Sequence, residues 1–248
     1  MLTHQVFLHH KIHVLARKED LPTVELAGKI VLVLDVLFAT STIITAMAHG
    51  VGRVIPALDA AAARLEGMQC PPGSFVLAGE LHANTIDGFA PSSPLALLDY
   101  GVRDRTLIYS TTNGTIAINE AAGAEQIYAA ALLNGAAVVD RVLAQHPRSD
   151  VVIVCSGSMG NFNLEDFYGA GYLVELFAKS LGPELDLSDG ARAAQALFRS
   201  GKPFETLANC RVGRVMRERK LEHEVRHAAQ LSTLEVVPKL AGRELVLA

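Results

Sequence analysis

Five successive apolar residues, Ile30 to Leu34, run into an aspartate and a cluster of hydroxyls in "KIVLVLDVLFATST". A short apolar run with no polar alternation is the signature of a strand buried on both faces, which occurs where helices cover a parallel sheet from both sides. The pattern recurs in "SFVLAGE" (Ser74 to Glu80), "RTLIYSTTNG" (Arg105 to Gly114) and "DVVIVCSGSMG" (Asp150 to Gly160), each ending in polar residues or glycine. Between these runs, Leu58 to Met68 and Gly135 to His146 carry good helix formers at helical spacing. Strands alternating with helices predict a layered α/β fold. The stretch from Gly190 to Leu231 is more charged and helical in period, and Ser232 to Ala248 reads as closing strands. Residues 1–248 are expected to form one domain, with only a weak candidate boundary at Leu181 to Asp189, "LGPELDLSD".

Charge narrows the partners. A formal charge of -4 and a pI near 6.1 argue against nucleic acid and anionic membranes, which select basic surfaces, and so favour a small-molecule partner. Cys70, Cys155 and Cys210 are too few and too scattered for a disulfide framework or a paired thiolate metal site. The first twenty residues lack an apolar core of signal-peptide length, and no apolar run approaches a membrane span. A cytoplasmic, soluble protein is the expectation, with homo-oligomerisation left open.

In an open α/β sheet, ligands sit beyond the carboxyl ends of strands, where helix N-termini offer free N–H groups to anions. Three loops have that form: Asp35 to Thr42, Ser110 to Thr115 and Cys155 to Asn161. Their hydroxyls and glycines also suit ordinary capping and turning, but three such loops in one chain point to an anion site. Asp35 and Glu80 each end a strand, and Glu165 and Asp166 sit near a helix start. Carboxylates gathered around an anion pocket repel the substrate unless a hard cation such as Mg²⁺ compensates, so the residues alone suggest metal-assisted phosphoryl chemistry.

Common phosphate-handling signatures are absent. Position 161, six after Cys155, is Asn161 where a cysteine phosphatase needs arginine, and Leu37 stands where an aspartate-nucleophile phosphatase carries its second acid. Neither a P-loop nor a complete dinucleotide fingerprint occurs. "HEVRH", His223 to His227, matches His-Glu-x-x-His, which would make a zinc hydrolase through His223, Glu224 and His227. Its charged surroundings, "RKLEHEVRHAAQL", favour an amphipathic helix with a solvated face. His9, His10 and His13 in "FLHHKIH" read as surface or edge-strand residues, with His9 and His13 on one face.

Together, "VLDVLFATSTI", "AGELHANTIDGFAPSSP", "STTNGTIAI" and "CSGSMGNFNLEDFYGAG" resemble the 2-phosphosulfolactate phosphatase (ComB) family, in the same order along nearly the whole chain. The resemblance implies a Mg²⁺-dependent phosphatase with a layered α/β/α architecture around a mixed sheet, acting on a small anionic phosphoester. It carries over Asp35, Thr40, Ser41 and Thr42 from the first motif, Glu80 from the second, and Thr111, Thr112, Asn113, Gly114 and Thr115 from the third. Cys155, Gly157, Gly160, Glu165 and Asp166 come from the fourth. Asp35, Glu80, Glu165 and Asp166 would hold Mg²⁺ or position the nucleophile, the Thr, Asn and Gly loops would hold phosphate oxygens, and Cys155 would serve as a nucleophilic thiolate or as a structural thiol. Arg211 and Arg214, in a C-terminal segment that also resembles the family, are candidate anion contacts. Where the family pattern has arginines, this chain has Phe38 and Leu81, which implies a substrate other than phosphosulfolactate itself or a homologue that binds a ligand without catalysis.

Overall fold

The computed structural model describes residues 11–182 and 185–248. Strand β2 (Ile30–Leu34) is buried along its whole length and lies between β7 (Gln126–Ala130) and β8 (Val151–Cys155), parallel to both. Alternation along β2 divides its side chains between two layers. Ile30, Leu32 and Leu34 pack with Val138 and Val142 of helix α5 (Gly135–Gln145) and with Leu173 and Phe177 of α6 (Leu164–Leu181). Val31 and Val33 pack on the other face with Ile43 of α1 (Ala39–Ala48) and Ile118 of α4 (Gly114–Glu120). Each such side chain contributes about 1.5–3 kcal/mol when fully buried, so the continuous apolar run is what a middle layer requires.

Next to β8 come β1 (Lys11–Leu15) and β9 (Asp186–Leu187), also parallel. A second parallel group places β6 (Thr106–Ser110) between β3 (Arg53–Ala57) and β4 (Phe75–Leu81), with β5 (Asn84–Thr85) antiparallel to β4. The C-terminal hairpin of β10 (Pro238–Ala241) and β11 (Glu244–Leu247) joins the two groups: β10 pairs antiparallel with β7 and β11 with β3. The result is one eleven-stranded mixed sheet in the order β5-β4-β6-β3-β11-β10-β7-β2-β8-β1-β9, within an α/β/α arrangement. The closing strands expected near the C-terminus therefore lie at the seam of the sheet.

Three antiparallel steps separate β7 from β3, so the two parallel groups run in opposite senses. Sheet twist, about 20–25° per neighbouring pair, turns one group across the other. Helix α4 bridges them, packing on β3 of one group and β2 of the other. The loops after β2 and β8 and those after β4 and β6 consequently open onto one cavity.

Besides the two-residue β5 and β9, two strands had no clear sequence signal. In β7, "QIYAA", alanines conceal a strand whose small side chains leave room for α1 above them. In β3, Pro56 lacks the N–H of a central strand, but on the β11 side pairing is limited to Val54 opposite Leu245. The charged segment after residue 189 forms helices α7 (Asp189–Ser200), α8 (Pro203–Asn209), α9 (Arg211–Glu218) and α10 (Glu222–Ala228). The candidate boundary at 181–189 includes residues 183 and 184, which lie outside the described residues, as do His9 and His10. His13 is half-buried on β1. No helix among the described residues is long and apolar enough to cross a membrane.

Candidate active site

Strand β2 delivers Asp35 to a position where two helices begin. Its carboxylate accepts the backbone N–H groups of Ala39, the first residue of α1, and Gly114, the first residue of α4. The loop between β2 and α1 is fastened locally: the Thr40 hydroxyl donates to Asp35 O at 3.1 Å and accepts from Asp35 N–H at 3.0 Å. Despite the two N–H donors, burial and the neighbouring Glu80 and Glu165 charges push the Asp35 carboxyl up to about 7.

Gly114 is required by this close approach. A Cβ there would stand 2.5 Å from Asp35 Oδ2 and collide with the Ala39 side chain. Gly114→Ala is therefore expected to cost about 1–3 kcal/mol, the usual range for overpacking, and to turn Asp35 out of place. Thermal unfolding and phosphate-release assays on the same preparation check both effects; a variant equal to wild type in both would refute the contact.

Glu80, at the end of β4, locks the loop after β6. Its Oε1 accepts Thr112 N–H at 2.7 Å, and its Oε2 accepts the Thr112 hydroxyl at 3.1 Å and Ala83 N–H at 2.6 Å. Glu165 and Asp166 fall in the first turn of α6 and diverge. Glu165 lines the cavity, beside Arg211 and the Cys210 thiol, and burial raises its pKa. Asp166 lies behind the wall, where it accepts Val36 N–H at 2.9 Å and Gly157 N–H at 3.2 Å and so ties the loops after β2 and β8 together. Burial, with Asp35 and Glu165 nearby, raises its pKa well above the ordinary carboxylate range.

The cavity measures about 210 Å³, below the usual range for drug-sized ligands and suited to a small metabolite. Asp35, Glu80 and Glu165 meet there with Thr112, Asn113 and Gly157. Gly157 has φ +62°, and a Cβ on it would meet the Asn161 carbonyl at 2.7 Å, so the tight turn after β8 needs glycine. Helix α9 closes one side through Arg211, Val212 and Val215, followed by Arg219 just past its end. Arg211 donates to Asn163 Oδ1 at 3.0 Å, and Arg219 donates to the Ala83 carbonyl.

Other sequence candidates lie elsewhere. Thr40, Ser41 and Thr42 are fully buried, and their hydroxyls serve backbone carbonyls: Ser41 donates to Val36 O at 2.6 Å and Thr42 to Ser92 O at 2.8 Å. Thr115 pairs with Thr111 inside the loop after β6. These hydroxyls hold the loops rather than line the cavity. Arg214 is exposed and donates to Asn209 O. Cys155 is fully buried within the core, and burial beside Asp166 and Glu165 raises its thiol pKa well above normal, which suppresses the thiolate a nucleophile needs. Phe38 lines the cavity, whereas Leu81 is 58% exposed outside its lining.

The His-Glu-x-x-His segment lies on an amphipathic helix with His223 and Arg226 exposed, and its buried acid has a structural role. Glu224 is buried, and its carboxylate caps helix α3 (Pro94–Tyr100) from a distance, accepting the Ser93 hydroxyl at 2.7 Å and the N–H groups of Leu95 and Ala96 at 2.9 Å each. His227 Nε2 pairs with the Thr45 hydroxyl at 2.8 Å. One face of α10 (Glu222–Ala228) is thus a clamp against α3 and α1, while Glu222, His223 and Arg226 make the charged outer face, with Arg226 pairing with Glu222.

Among the described residues, no group of three or more His, Cys, Asp and Glu side chains stands at coordinating spacing. Mg²⁺ does not need one, since it keeps several waters and commonly takes one or two protein carboxylates together with substrate oxygens. Asp35 with Glu80 or Glu165 fits that donor set, and their mutual repulsion in a buried setting is the charge that a cation relieves. Sequence reasoning missed Arg219, which lies in "RERK" and reads as a solvated charge run.

Residues 15–243 match the family described as 2-phosphosulpholactate phosphatase. A protein of Symbiobacterium thermophilum named "Probable 2-phosphosulfolactate phosphatase" is 38% identical over 231 residues, covering 91% of this chain and 97% of that protein. Proteins of the same name from Carboxydothermus hydrogenoformans and Clostridium tetani are 36% and 31% identical, covering 92% of this chain and 92% and 96% of their own lengths. With the family match spanning residues 15–243 and relatives aligned over more than nine-tenths of both chains, the chain belongs to the 2-phosphosulfolactate phosphatase family.

Proposed function

We propose that this protein is a Mg²⁺-dependent phosphatase that hydrolyses a small anionic phosphomonoester, of the 2-phosphosulfolactate type. The observation that carries this reading is the meeting of Asp35, Glu80 and Glu165 with the Thr112 to Gly114 loop and two arginines around one small cavity. Asp35 with Glu80 or Glu165 would hold the cation. When bound, Mg²⁺ would neutralise phosphate oxygens and favour attack of water at phosphorus. The Asn113 side-chain amide supplies a donor for phosphoryl oxygens, whose charge changes as the P–O bond breaks, while the Thr112 and Gly157 donors are taken up by Glu80 and Asp166 and shape the loops around it. Asp166 acts indirectly, holding the Val36 and Gly157 amides in register.

Arg211 and Arg219 suit a second anionic group on the substrate. Phe38, Val212 and Val215 give the same cavity an apolar side. A substrate combining a phosphoester, one further anion and a less polar portion therefore fits better than one that is charged all round.

Purified protein with Mg²⁺ is expected to release inorganic phosphate from members of a small phosphoester panel that includes 2-phosphosulfolactate, and chelation should stop the release. Ligand-induced thermal stabilisation with no release from any member would instead identify a binding protein without catalysis.

A further inference from the structure

Lys18 sits in a 3-10 turn, Lys18–Thr23, far in sequence from every motif, yet it is buried with only 7% exposure. Burying an ammonium group is costly unless its donors are satisfied. Three acceptors surround Nζ: Glu19 Oε1 at 2.7 Å, Asn113 Oδ1 at 3.2 Å and Ser156 O at 3.5 Å. Asn113 and Ser156 belong to the loops after β6 and β8, so one cation joins two of the loops that build the cavity.

The contact with Asn113 fixes the orientation of its amide. An ammonium has only donors, so the atom facing it must be the amide oxygen. Met159 N–H, at 3.4 Å from the same oxygen, makes the same demand. Lys18 lies outside the cavity lining and Asn113 inside it. Its oxygen is committed, Asn113 lines the cavity, and none of the described residues accepts from its Nδ2. We propose that Lys18 is a positioning residue for catalysis, holding the Asn113 side chain so that its amide N–H groups meet a phosphoryl oxygen of the substrate. This rests on the phosphatase reading above. Without the Lys18 ammonium, only the longer Met159 N–H contact holds the amide oxygen, and rotation of the amide would present that oxygen to the phosphate, replacing an attraction with a repulsion.

A double-mutant cycle tests the linkage. Lys18→Met keeps the apolar stem and removes the charge, while Asn113→Ala removes the donor. Each single variant is expected to lower kcat/KM for the best phosphoester by roughly 10- to 100-fold, the range for outer residues that orient a reacting group. The double variant should be no worse than Asn113→Ala alone, because Lys18 acts through Asn113. The loss in Lys18→Met should fall on kcat at a temperature where unfolding curves show the variant fully folded. Inorganic phosphate binding, measured by calorimetry, supplies a second reading of the same cycle.

Additive losses in the double variant would overturn the positioning role while leaving the phosphatase reading intact, as would a folded Lys18→Met with wild-type kcat/KM and phosphate affinity. If wild-type protein neither releases phosphate from the panel nor binds inorganic phosphate, the phosphatase reading fails and the role of Lys18 fails with it.

Discussion

Asp35→Asn is expected to lower phosphate release by about 10²- to 10³-fold, the scale of removing one preorganised electrostatic group from an active site, while the protein stays folded. The side chains are nearly isosteric, but the amide has no charge to hold a cation. The stability of this variant separates chemistry from folding. In wild-type protein the Asp35 carboxyl is pushed up to about 7 by burial and by Glu80 and Glu165. Its ionisation therefore destabilises the metal-free folded state by a few kcal/mol, because each tenfold loss of acidity on folding corresponds to about 1.4 kcal/mol. Asparagine removes that cost but turns an NH₂ towards the Ala39 and Gly114 amides, a mismatch of about 1–3 kcal/mol. Metal-free Asp35→Asn should therefore melt at or above the wild-type temperature at pH 8 and lose that advantage at pH 5. Wild-type turnover by a folded Asp35→Asn protein would remove Asp35 from the mechanism.

The second large effect is on stability as a function of pH and metal. Asp35, Glu165 and Asp166 all have raised pKa values in the fold, so between the ordinary carboxylate range and the raised values the folded chain binds more protons than the unfolded one. Stability then falls as pH rises through that interval. His13 and His227 act in the opposite direction: burial lowers their pKa values, so the unfolded chain takes up protons first and stability falls as pH drops below roughly 6.5. The metal-free protein should have its highest melting temperature near the crossover of these effects and become less stable towards pH 8. Added Mg²⁺ should recover stability at pH 8 and do little at pH 5, where protons occupy the carboxylates it would bind. Melting curves at several pH values, with chelator and with Mg²⁺, measure this directly. Equal Mg²⁺ shifts at pH 5 and pH 8 would place the ion away from these carboxylates.

Some of the site is legible because it follows from a strand end. Asp35 and Glu80 each terminate an apolar run, and a buried strand in a parallel group must deliver its next residue to the sheet's carboxyl edge. The hydroxyls beside Asp35 are harder to read. Threonine and serine suit a backbone carbonyl as well as a phosphate, and in Thr40, Ser41 and Thr42 the carbonyl takes the hydroxyl. The same limit applies to Glu165 and Asp166: adjacent on a helix, they point about 100° apart, and only packing decides which meets the cavity.

Helix α9 gives the clearest example of a choice made by geometry. Arg211, Val212, Val215 and Arg219 occupy one arc of about 100° on a helical wheel, and Arg214 falls about 60° outside it. Composition does not distinguish among Arg211, Arg214, Arg217 and Arg219. Which arc faces the cavity depends on how α9 rests on its neighbours α8 and α10.

Local sequence was thus sufficient for the strand and helix alternation and for the acids at strand ends, because burial on both faces imposes an apolar run and ends it at a fixed edge. It was also sufficient for the family, because the motifs retain their order along the chain. Only tertiary structure decided that the C-terminal hairpin is the seam of the sheet, that Cys155 and Asp166 stay behind the wall, that Glu224 caps a distant helix, and that Lys18 reaches Asn113. Those outcomes depend on contacts between residues far apart in sequence, where chain twist and packing, not local pattern, determine which polar groups find partners and which face the cavity.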